Sequence, residues 1–129
     1  MRKYLLLAIV VFSLNTRLFS QVQNPSYNFG KAYYLLTKSD DVNNFFVVDF
    51  TKFPSDFEKI YFKNLVYKSK VIVSIDSDLT KGVGKFQANK KFDLEIVNKS
   101  FDEMVEKTIN ANSTMDSVKK DEWIKKNTK

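Results

Sequence analysis

A chain of 129 residues with no cysteine, no histidine and a formal charge of +6 excludes a thiol nucleophile, a disulfide framework, a Cys/His zinc site and any histidine-based acid–base pair. The charge is unevenly spread. Arg2, Lys3 and Arg17 lie in the first twenty residues, and Lys119 to Lys129 sets five lysines against Asp121 and Glu122, so residues 21–118 balance. A neutral body offers no phosphate-tracking patch, so no nucleic-acid partner is expected.

Arg2 and Lys3 precede an unbroken apolar run from Tyr4 to Phe12, and small or polar residues lead on to Ser20-Gln21. This is the layout of a secretory signal peptide over residues 1–20, which directs the remaining chain to the periplasm or the medium. A membrane-spanning helix takes about 20 apolar residues, and the run ends at Asn15, Thr16 and Arg17. Leu18 stands where a small residue is preferred before a cut, so retention as an uncleaved anchor stays open. With the leader removed, no integral membrane span is expected. An exported domain without disulfides must be held by core packing, for which ten Phe, five Tyr and Trp123 are present after the leader.

Gln21 to Asn28 reads as a polar lead-in broken by Pro25. Lys31 to Thr37 (KAYYLLT) and Phe45 to Phe50 (FFVVDF) read as two strands joined as a hairpin over the loop Asp41 to Asn44. Ser55 with Glu58 three residues on is a capping box, and Phe57, Ile60, Tyr61 and Leu65 follow at helical spacing, predicting a helix over Ser55 to Lys68. Val71 to Asp76 and Val83 to Asn89 alternate as strands around the turn Asp76 to Gly82. Leu94, Val97, Phe101, Met104, Val105 and Thr108 mark an amphipathic helix over Asp93 to Ile109, which Asn110-Ala111-Asn112-Ser113 is expected to stop.

The expectation is an α+β fold: a four-stranded antiparallel sheet with two helices on one face, in the order strand-strand-helix-strand-strand-helix. That order is compatible with a circularly permuted ferredoxin-like sandwich. One domain over residues 21–112 is followed by a charged C-terminal segment, residues 113–129. At fold level alone the order resembles heavy-metal-associated domains. Their Cys-x-x-Cys would fall near Thr51 to Asp56, where no cysteine stands, so the resemblance carries no activity.

No motif points to a catalytic centre, a metal or a cofactor, and none is assigned. Asp76, Asp78 and Thr80 alternate before Gly82, but the sixth position of a calcium loop is Lys81 and the twelfth is Gln87, where Gly and a bidentate Glu are required. Ser117-x-x-Lys120 has the spacing of a serine nucleophile with its lysine base, yet lies in a charged segment that would not desolvate the lysine. Asp49, Asp76 and Asp93 are lone carboxylates. Asn98-Lys99-Ser100 and Asn112-Ser113-Thr114 are chance glycosylation triplets of an Asn-rich chain.

The sheet's second face is the informative surface. If the helices cover Phe46, Val48, Phe50, Val71, Val73, Ile75 and Phe86, the other face shows Phe45, Val47, Ile72 and Val83 beside Asp49, Ser74, Asp76, Lys85 and Gln87. An apolar patch of this kind marks an interface or ligand groove, unless the C-terminal segment covers it through Met115, Val118, Trp123 and Ile124. Partner-binding residues are therefore expected at Phe45, Val47, Ile72, Val83 and Trp123. The function read from the sequence is a small exported binding or protein-interaction domain, with a protein partner or self-association. The alternative is an enzyme working with Asp, Glu, Lys, Ser or Tyr.

Overall fold

Asp40 turns the chain at the start of the sheet: its Oδ1 accepts from the backbone N–H of Val42 and Asn43 at 2.8 and 2.7 Å. This Asx turn joins β1 (Tyr34–Ser39) to β2 (Asn43–Asp49) by a shorter connection than the residue pattern implied. The computed structural model describes residues 27–128; the leader over residues 1–20 lies outside the described residues. A 3-10 turn at Phe50–Lys52 then leads to α1 (Asp56–Lys68). The capping box is present in both directions, with Ser55 Oγ accepting from the Glu58 N–H at 3.2 Å and the Glu58 carboxylate accepting from the Ser55 N–H at 3.3 Å.

Strands β3 (Ile72–Asp76) and β4 (Val83–Asn89) follow, then α2 (Leu94–Thr114) and α3 (Ser117–Asn127). The sheet order is β1-β2-β4-β3, and every neighbouring pair is antiparallel. Strands β2 and β3 are therefore parallel to one another, connected through α1, with β4 inserted between them. The fold is α+β, a four-stranded antiparallel sheet with helices.

The core is built on aromatic rings. Phe46, Phe50, Phe53, Phe62, Phe86 and Phe101 are all buried, and each contributes about 1.5–3 kcal/mol relative to an exposed ring. Phe86 on β4 is their hub, meeting Phe50, Phe62 and Phe101 edge-on at 6.3, 6.3 and 6.4 Å between centroids. Helix α1 contributes Phe62 and Val66, and α2 contributes Val97, Phe101, Met104 and Val105.

Two expectations are corrected here. Helix α2 does not stop at Ile109 but runs to Thr114, so a boundary at residues 112 and 113 falls inside it. Each Asn or Ser in a helix costs less than about 0.7 kcal/mol relative to Ala. Ala111 is buried within this stretch, and the Ser113 and Thr114 hydroxyls both donate to the Asn110 carbonyl. The charged C-terminal segment is a third helix, α3, with Asp116 as its N-cap accepting from the Lys119 N–H at 2.9 Å.

The second correction concerns β3. Ile72 stands opposite Ala88 and Ser74 opposite Phe86, which puts them on the helix side. Ile72 is only 1% exposed, whereas Val73 and Ile75 are 53% and 51% exposed on the other face. Ser69 explains the slip, since its Oγ accepts from both the Val71 and Ile72 N–H groups at 3.1 Å. Val71 is thereby held in a turn before the strand, packed against the core, and does not set the strand's parity. Moving the start of a strand by one residue exchanges its faces.

Candidate functional site

The sheet face away from the helices carries Phe45 and Val47 of β2, Val83 and Lys85 of β4, and Val73 and Ile75 of β3, as the strand pairing requires. Three of the residues expected there, Phe45, Val47 and Val83, share this face. Ile72 does not, being part of the core. Trp123 does not either: its ring packs on α1 against Phe57 and Tyr61, at 5.6 and 4.9 Å between centroids. Lys120 lies over the same Phe57 ring and donates to the Asn112 side chain at 2.8 Å. Covering the open sheet is thus not the task of the C-terminal residues.

The beginning of the described chain approaches the open face instead. Tyr27 lines a groove of about 440 Å³ together with Phe45, Val47, Ile75, Lys38 and Lys85, and Val47, in its floor, is only 3% exposed. Gly30, at φ +56°, allows the turn that leads from this segment into β1. Its carbonyl is held by Lys52 Nζ at 2.7 Å, and the Ala32 N–H donates to the Phe29 carbonyl at 2.8 Å.

The charged residues lining the groove are both lysines. Lys38 on β1 sits 5.1 Å from the Phe45 ring centre, and Lys85 stands opposite Val47. Three nearby carboxylates have other partners: Asp40 accepts from the Val42 and Asn43 N–H groups and also feels the Lys38 charge. Asp76 is bound by Lys81 Nζ at 2.8 Å, which holds its carboxyl below the usual carboxylate range. Asp49 accepts from the Thr51 N–H at 3.0 Å and lies 4.0 Å from Lys52. Asp78 is likewise occupied, by the Thr80 hydroxyl and N–H, which lower its pKa. Among the described residues no group of three or more Asp or Glu is placed to hold a metal ion, and no helix is long and apolar enough to cross a membrane.

A second concavity, about 670 Å³, lies between edge strand β1 and helix α2 and is lined by Tyr34, Leu36, Asp102, Val105 and Ile109 among others. The Tyr34 hydroxyl is 3.0 Å from Asp102 Oδ1 and 3.2 Å from the Asn98 carbonyl, and its ring stacks on Phe101 at 4.5 Å. Burial, then the hydrogen bond and charge of Asp102, push the phenol up to about 12. A phenol that keeps its proton this firmly is a fixed donor and not a base at neutral pH.

Tyr27, Lys38, Val73 and Ile75 were not assigned to the face from the sequence. Tyr27 belongs to the polar lead-in, and the alternation of β3 alone gives Val73 and Ile75 the opposite parity. The readable signal was Ser69, whose position two residues before Val71 fits a serine turn ahead of a strand. No family model, curated protein or solved structure matches the chain.

Proposed function

We propose that this chain is a small exported binding domain that takes its ligand or partner on the open sheet face. The observation that carries the reading is the half-exposed pair Val73 and Ile75 continuing into the groove floor of Phe45 and Val47, an apolar strip on the face the helices leave free. Export rests on the layout of Arg2, Lys3 and the run to Phe12. We also read the strand order as that of a permuted ferredoxin-like sandwich.

The face is favoured over the strand edges. Both outer strands are short and carry a register irregularity, at Leu36/Lys38 in β1 and at Ser74/Asp76 in β3. Irregular edges, and a lysine such as Lys38 on β1, are how sheets resist strand addition. The test is Phe45→Asp with Nile red, an uncharged apolar probe. Loss of probe fluorescence with a stability change under roughly 2 kcal/mol supports the reading. Retained probe binding, or a collapse of stability like that of a buried unpaired charge, sinks it.

A further inference from the structure

Resting on the open-face reading, we infer that the groove takes a free single-chain amphiphile with an anionic head group. Its lining is apolar at Phe45, Val47 and Ile75, with Val47 recessed and the half-exposed Ile75 and Val73 extending the strip along β3. Its lining contains two lysines, Lys38 and Lys85, and no acid. Neither lysine has a carboxylate within 4.0 Å among the described residues, and residues 1–26 contain no Asp or Glu to supply one. The acids nearest them are engaged elsewhere: Asp40, beside Lys38, accepts from the Val42 and Asn43 N–H groups, Asp76, opposite Lys85, is held by Lys81, and Asp49 accepts from Thr51. An alkyl chain on the strip would leave its head within reach of Lys38 and Lys85, which have Asp40 and Asp76 in electrostatic range but no carboxylate in contact among the described residues.

The recessed floor separates this ligand from larger ones. A flat protein surface or a bilayer would meet the rim and miss Val47, which is 3% exposed. A thin chain can lie across the strands, whose spacing gives about 14 Å from β1 to β3 over three intervals of roughly 4.8 Å. The volume of about 440 Å³ lies within the ~300–1,000 Å³ of small-molecule sites.

The experiment titrates the chain from Gln21 to Lys129 with dodecanoate, dodecyl maltoside and dodecyltrimethylammonium below their micelle concentrations, following backbone amide resonances. Dodecanoate is expected to shift Phe45, Val47, Ile75 and Lys85 and to bind roughly tenfold more tightly than the neutral amphiphile. The double change Lys38→Gln with Lys85→Gln should erase that preference, and so should raised salt. Equal affinity for all three, lost in Phe45→Ser, would overturn the anionic preference and leave the open-face reading standing. Binding of none of them, with Nile red still taken up at the face, would overturn the amphiphile alone. Shifts confined to the Tyr34–Asp102 concavity, or no binding of any probe including Nile red, would overturn both. Vesicles of anionic lipid are expected to give no binding at equal lipid concentration, and preference for them over free dodecanoate would overturn the assignment to a free ligand.

Discussion

Trp123 and Tyr61 lie 4.9 Å apart between ring centres, α3 against α1, so the most charged helix of the chain is anchored by its single tryptophan. Phe57, buried in α1, completes the cluster. Trp123→Ala removes these contacts at a partly exposed site and should cost about 1–3 kcal/mol in chemical denaturation. Nile red binding at the open face should be unchanged. Loss of probe binding at unchanged stability would place Trp123 at the probe's site and not on α1.

The phenol of Tyr34 titrates late. Its folded pKa of about 12 lies above the ordinary value of 10.0, so the stability it contributes is complete below about pH 10 and is lost as pH rises through about 12. In an ultraviolet titration one tyrosine should lag behind the rest, and Tyr34→Phe should remove the lag. Asp102→Asn should bring the pKa only part of the way down, because burial, the larger cause, remains. A normal, simultaneous titration of all tyrosines would refute this placement of Tyr34.

Gly84 has no room for a side chain. A Cβ there would run into the Phe50 ring and come within 2.8 Å of Phe86 Cε1, and both rings are buried in the core. Gly84→Ala should therefore destabilise the domain by about 1–3 kcal/mol through overpacking. Gly82→Ala is the control, since its Cβ would find only the Thr51 methyl at 3.6 Å, an ordinary contact. Equal melting temperatures for the two variants would contradict the packing at β4.

Legibility in the sequence followed locality. The Ser55–Glu58 box and the strand Val83 to Asn89 depend on neighbours within a few residues, and both are found where the pattern puts them. Asn110 to Ser113 look like a stop locally, but the helix runs on to Thr114 with Ala111 buried. Tertiary burial overrides weak propensity in such cases. The same holds for Trp123, whose partners Phe57 and Tyr61 lie some sixty residues earlier. The open face was half legible: Phe45 and Val47 follow from the parity of β2, but its β3 side depended on where that strand begins.

The β3 register gives the sharpest test, because Val71, Ile72, Val73 and Ile75 offer apolar residues to both faces. With Ile72 opposite Ala88 and 1% exposed, Ile72→Ala should leave a cavity in the core cluster it shares with Val66 and Phe86 and cost about 2–5 kcal/mol. Ile75, at 51% exposure, loses little on truncation, so Ile75→Ala should cost under about 1 kcal/mol. Probe binding should run the other way, weakened in Ile75→Ala because that side chain lines the groove, and intact in Ile72→Ala under conditions where that variant remains folded. Denaturant midpoints and Nile red titrations of the two proteins check both halves. Should Ile75→Ala be the costlier change, β3 pairs one residue over, Ile72 returns to the open face, and the groove floor loses its β3 side.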